Sequence, residues 1–65
     1  MSNKDRFQKQ IDQGAKMFFY AIEDRKENSI HMKSIRIPEQ LDSFPEDYRF
    51  VREMAEGIPV FVKGD

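Results

Sequence analysis

Met17-Phe18-Phe19-Tyr20-Ala21-Ile22 is an unbroken apolar and aromatic run held between Lys16 and Glu23. A short aromatic-rich run bounded by charges reads as a β-strand. Side chains alternate across a strand, so one face carries Met17, Phe19 and Ala21 and the other Phe18, Tyr20 and Ile22. Both faces are apolar and both call for cover, which is the pattern of a central strand rather than an edge.

The chain downstream supplies neighbours for this strand. Glu23 to Ser29 is polar, with Asn28-Ser29 near its end, and reads as a hairpin loop. Ile30 to Ile37 is a second strand whose apolar phase changes along its length. Ile30 and Met32 fall on one face, Ile35 and Ile37 on the other. Either a bulge near Lys33-Ser34 or a twist that buries different faces at the two ends reconciles them. Pro38, which cannot donate to a ladder, closes the strand.

Ser43-Phe44-Pro45-Glu46 has the make-up of a helix start: a capping hydroxyl, a proline in the first turn and an acid. Phe44, Tyr48, Val51 and Ala55 follow at 4, 3, 4 spacing with Met54 alongside, which predicts an amphipathic helix over about 44–56. Gly57 and Pro59 are its stop signals. Ile58 to Lys63 is a third strand, with Ile58, Val60 and Val62 on one face and Phe61 on the other. Upstream of the aromatic run, Ser2-Asn3-Lys4-Asp5 resembles a helix start, and Phe7 and Ile11 share a face. Gly14 is a C-terminal cap, so a first helix is predicted over about 3–13.

The expected fold is therefore a single α+β domain over residues 1–65. Its order is α-β-β-α-β, with a three-stranded sheet and the second helix packed on one face. The strand–helix–strand connection is right-handed by rule. With the third strand beside the first, the order 2-1-3 puts the aromatic strand in the centre.

Composition narrows the function. A chain of 65 residues buries only about 60% of the surface it exposes when unfolded. A core that small supplies about 3–5 kcal/mol, so such scaffolds often lean on a staple. Cysteine is absent and His31 is the only histidine, so no disulfide, no thiolate metal site and no metal ligand set is expected, and no cofactor. Oligomerisation or partner binding is the staple left. There is no cysteine nucleophile, no Gly-x-Ser-x-Gly elbow and no glycine-rich phosphate loop, since the glycines fall at 14, 57 and 64. A domain this small can scarcely enclose a reaction pocket, and the expectation is that it is not an enzyme. The polar amino terminus and the lack of a long apolar run point to a cytoplasmic protein with no membrane span. His31 reads as a surface side chain in the hairpin.

Net charge is −1, yet residues 1–36 carry +3 and residues 37–65 carry −4. The apolar surplus, with six Phe and four Met, exceeds what one helix can cover. An uncovered apolar face is an interaction or dimer surface, and an edge strand can pair with another chain. The expected activity is stoichiometric binding, as a regulator, adaptor or inhibitor docking on a larger protein, with a homodimer also open. The contact residues expected are Phe18, Tyr20, Lys33 and Arg36, then Asp42 and Glu46 in the acidic lead-in that could steer a basic partner. The alternative is a single-stranded nucleic-acid binder that stacks bases on Phe18 and Tyr20 beside Lys16, His31, Lys33 and Arg36.

Overall fold

The computed structural model describes residues 2–36 and 38–63. The aromatic run forms β1, Phe18–Asp24, and the chain returns antiparallel as β2, Ser29–Ile35. The turn between them is held by Asp24, whose Oδ1 accepts the amide protons of Lys26 and Glu27 at 3.0 and 3.2 Å, and by Asn28 in the left-handed region at φ 54°. The pairing runs from Phe18 opposite Ile35 to Asp24 opposite Ser29 without a break. The phase change in the second strand is therefore not a bulge at Lys33-Ser34. Ile35 is buried in the core while Ile30 and Met32 stand exposed on the other face. The expected continuation to Ile37 lies outside the described residues.

The largest departure from expectation is the predicted helix over 44–56. Pro38–Ser43 is a 3₁₀ segment, and Tyr48–Met54 is a strand, β3, antiparallel to β4, Ile58–Lys63. The 4, 3, 4 spacing coexists with an alternating pattern, because Tyr48 and Phe50 fall on one face between Arg49 and Val51. Pro45 pushes Phe44 out of the helical region, and the aromatic and β-branched content of Tyr48-Arg49-Phe50-Val51 favours a pleated surface. A bulge between Phe50 and Arg52 shifts the register. The fold is thus α+β, with four strands rather than three and one helix rather than two. The helical part is a 3₁₀ turn, Asn3–Phe7, running into α1, Gln8–Asp12.

The sheet order is β2-β1-β4-β3, with β4 parallel to β1 and opposite Ala21, Ile22 and Glu23 through Val60, Phe61 and Val62. The aromatic strand is interior, and the third predicted strand lies beside it. One face of the sheet, bearing Phe18, Tyr20, Ile22, Ile35, Tyr48, Phe50 and Phe61, packs under Phe7, Leu41 and Phe44. The rings meet mostly edge to face: Tyr20 to Phe44 at 5.0 Å and Phe7 to Phe44 at 5.2 Å between centroids.

Two buried amides fasten the amino-terminal segment to the sheet. Asn3 Nδ2 donates to the carbonyls of Pro45 and Tyr48 at 2.9 and 2.8 Å, while its N–H donates to Glu46 Oε2 at 2.9 Å. Gln10 accepts the Phe19 N–H at 2.9 Å and donates to the carbonyls of Phe19 and Gly57 at 2.8 and 3.2 Å. Its side chain stands in for a strand at the end of the β1–β4 seam. At the other end of the helical segment Asp5 Oδ2 accepts the Ser2 N–H at 3.3 Å, and Gly14 takes the left-handed conformation at φ 77°, both as expected from sequence.

Gly57 does not stop a helix but turns β3 into β4, with φ 78° after Glu56 at φ 64°. A Cβ there would lie 2.8 Å from Lys9 Cβ on α1. Lys9 Cβ is tied to the backbone and cannot swing aside. Gly57→Ala should therefore cost about 1–3 kcal/mol from backbone strain and crowding. Thermal unfolding followed by circular dichroism will show a clearly lowered midpoint, and an unchanged midpoint would mean α1 does not sit against this turn.

Candidate functional site

The register divides the side chains of the sheet between two faces, and no described element covers the second. That face carries Phe19, Ala21 and Glu23 from β1, Ile30, Met32 and Ser34 from β2, Ile58, Val60 and Val62 from β4, and Arg49, Arg52 and Met54 from β3. Long apolar side chains stand exposed on it: Met32 is 52% accessible, Ile30 45%, Phe19 38% and Met54 37%. Met17, just ahead of β1, is 38% accessible at the same end. The interior positions Ala21 and Val60 are fully buried and Val62 is nearly so. Ala21 and Val60 lie out of solvent reach at the centre of this face, and Phe19 on β1, Ile30 and Met32 on β2 and Met54 on β3 present its exposed apolar surface. Its edge strands are about 14 Å apart, three inter-strand spacings, and its length is about 20 Å.

An ion-pair bridge crosses this face over β4. Arg52 Nη1 on β3 meets Glu23 Oε1 on β1 at 3.0 Å, and Arg25 Nε meets Glu23 Oε2 at 3.3 Å. β4 lies between β1 and β3, so the Arg52–Glu23 pair passes above its valines. Hydrogen bonds from Arg52 first and Arg25 second hold the Glu23 carboxyl below the usual glutamate range. Glu23 is the only acid on the strands of this face, whereas Arg25, Arg49 and Arg52 gather at its charged end. Arg49 has an interaction of its own.

No protein-family description, curated protein or solved structure matches this chain.

The residues singled out from sequence fall in different places. Phe18 is 4% accessible and belongs to the core. Tyr20 is half-buried there, edge-on to Phe7 and Phe44, and burial, with the Tyr48 phenol second, pushes its hydroxyl above the usual tyrosine value. Lys33 is exposed directly opposite Tyr20, and Arg36 is exposed beyond the end of β2. Asp42 pairs with Lys4 at 3.3 Å, and Glu46 caps the Asn3 amide, so the acidic lead-in fastens the amino terminus. Phe18, Tyr20 and Lys33 do share a face, but the helical segment fills most of it. What remains is a shallow cleft of about 730 Å³ beyond the helix, lined by Ile22, His31, Lys33, Tyr48, Lys26 and Lys63 among others.

Sequence reasoning did not select Phe19, Met32, Met54 or Arg52. The first two were within reach of the alternation in the two hairpin strands. Met54 and Arg52 were not, because their segment was read as helix. Among the described residues no group of three or more His, Cys, Asp or Glu side chains is placed to hold a metal ion, and no helix is long and apolar enough to cross a membrane.

Proposed function

We propose that this chain is a stoichiometric binding protein, a regulator, adaptor or inhibitor that docks on a larger protein, and not an enzyme. The observation that carries the reading is the open sheet face, where Phe19, Ile30, Met32 and Met54 are together exposed across edge and interior strands. Contiguous apolar surface of this kind is what soluble domains reserve for partners. Methionine side chains adapt their shape to an incoming surface at little conformational cost. A reducing cytoplasm suits a chain without cysteine.

The second reading is a single-stranded nucleic-acid binder. It is favoured by the cleft on the opposite face, whose lining sets Tyr48 among Arg25, Lys26, His31, Lys33 and Lys63, with Glu23 and Asp24 as its acids. Affinity capture from lysate, with and without nuclease and at low and moderate salt, separates the two. Phosphate contacts release counterions and weaken steeply with salt, whereas an apolar interface changes little. The expected result is one protein retained through nuclease and salt by the wild type and lost by Met32→Lys. Position 32 is exposed, so that variant should keep the wild-type circular dichroism spectrum. Capture that disappears with nuclease, or that survives Met32→Lys unchanged, would displace the open face as the site.

A further inference from the structure

We infer that the cleft beyond the helical segment is a binding site for a nucleoside triphosphate, with the base on its apolar lining and the phosphates on its lysines. This takes the cleft of the second reading, gives it a single nucleotide in place of a strand, and leaves protein docking on the other face as proposed. Unpaired charge is the first argument. Of the basic side chains that line the cleft, Arg25 is held by Glu23, and His31 Nε2 lies 3.2 Å from Ser29 Oγ. Lys26, Lys33 and Lys63 have no carboxylate partner among the described residues. The two acids of the lining are engaged already, Glu23 by Arg52 and Arg25, and Asp24 by the turn amides of Lys26 and Glu27. The free charge of the cleft is therefore positive. An ammonium on a flexible stem acts as a point charge and binds phosphate oxygens without a fixed direction of approach.

Placement is the second argument. Lys33 sits opposite Tyr20, Lys63 sits opposite Tyr48 on the strand two places away, and Lys26 lies in the β1–β2 turn. The backbones of Lys33 and Lys63 are about 10 Å apart across the sheet and about 13 Å apart along it. Charge spread round a rim in this way suits a chain of phosphates better than one carboxylate. Between the lysines the lining is apolar, from Ile22, Val62 and the Tyr48 ring. That ring leans on Phe44 and Phe61 at 5.6 and 6.3 Å between centroids, so it is held in place for a flat group to rest on. The volume of about 730 Å³ falls in the range of about 300–1,000 Å³ used by small-ligand sites. The cleft is also bounded. The β1–β2 turn closes one end, and Phe44, which lies against both Tyr20 and Tyr48, closes the other. Glu46 and Asp47 lead into Tyr48, so a strand of nucleotides leaving on that side meets carboxylates, and a single nucleotide does not.

The test titrates the full chain labelled with ¹⁵N and follows its amide shifts. The probes are the four ribonucleoside triphosphates in turn, adenosine, inorganic tripolyphosphate and a single-stranded oligothymidine. At least one triphosphate should move the amides of Ile22, Lys26, His31, Lys33 and Lys63 and leave those of Phe19 and Met32 in place. Adenosine and tripolyphosphate should each bind at least about tenfold more weakly. Lys33→Gln and Lys63→Gln, both at exposed positions, should keep the wild-type circular dichroism spectrum and each weaken the nucleotide by about threefold or more. Affinity should fall as salt rises. Tripolyphosphate binding as tightly as the nucleotides would overturn the role of the base. Oligothymidine binding more tightly than any nucleotide would overturn the inference in favour of the strand. No shift of the cleft amides with any triphosphate, or nucleotide binding that both lysine variants leave unchanged, would overturn the site, and docking on the other face would still be judged by capture with Met32→Lys.

Discussion

Phe61→Ala is expected to leave the chain unfolded in water at 25 °C. Phe61 is fully buried on the interior strand β4 and its ring lies 5.2 Å from Phe44, 6.0 Å from Phe50 and 6.3 Å from each of Phe7, Tyr20 and Tyr48 between centroids. Truncating a buried phenylalanine costs about 3–5 kcal/mol, combining lost transfer energy with the cavity left behind. A single core in a chain this short supplies about the same amount. The aromatic rings that surround position 61 belong to β1, β3, the loop at Phe44 and the amino-terminal segment, so one truncation loosens four parts of the fold at once. Far-ultraviolet circular dichroism in water and a urea titration read the result. Phe61→Leu, which retains most of the volume, should stay folded with a lower urea midpoint. A cooperative transition in the alanine variant near the wild-type midpoint would mean the aromatic cluster contributes far less than its burial implies.

The second large effect is at Gln10. Removing its amide leaves the Phe19 N–H and two carbonyls without the partners described above, the Gly57 carbonyl in a buried place and the Phe19 groups in a partly buried one. Unsatisfied buried groups cost about 1–3 kcal/mol each, so Gln10→Ala should lose about 2–4 kcal/mol. Gln10→Glu is the sharper probe. An ionised carboxylate keeps the acceptor for Phe19 N–H but faces the carbonyls of Phe19 and Gly57 with no proton to donate. Burial and those carbonyls favour the protonated form, so the folded-state pKa of the new carboxyl rises above the unfolded value of about 4.3. Stability relative to wild type should then be nearly intact below that value and be lost as pH rises through the raised one. Urea midpoints of both chains between pH 4 and 8 measure the difference, on the order of 1–2 kcal/mol. A constant gap across that range would show that the Gln10 donors are dispensable.

The hairpin of β1 and β2, the demand of β1 for cover on both faces and the strand at Ile58–Lys63 were legible in the sequence, because each rests on local signals, whereas the place of the last strand beside β1 is a long-range pairing that the sequence left open. The aromatic run is apolar on both sides, the loop is polar, and Gly57 and Pro59 frame the last strand. The segment from Tyr48 to Met54 was not legible, since its residues satisfy a helical and a strand period together. The choice is made by pairing with β4, a tertiary contact. With that segment read as a helix over the sheet, the second face was without Arg52 and Met54, and the aromatic face bearing Phe18 and Tyr20 was weighed alone. Gln10 and Asn3 gave no sequence signal at all, because a polar residue in an exposed-looking helix discloses its burial only when the strand it caps is in place.

The bulge in β3 has a bearing on solubility. A sheet with two unpaired edges could grow without limit if β2 of one molecule added to β3 of the next, a heterologous contact that never closes. The register shift at Val51 breaks the regular row of backbone groups on the β3 edge, and Arg49 and Arg52 add charge to it. β2 is regular, with Lys33 and His31 as its polar guards. The edge pairing left open is β2 against β2, an isologous contact that stops at two molecules, so the irregular edge protects this chain from fibrous polymerisation while leaving its open face free.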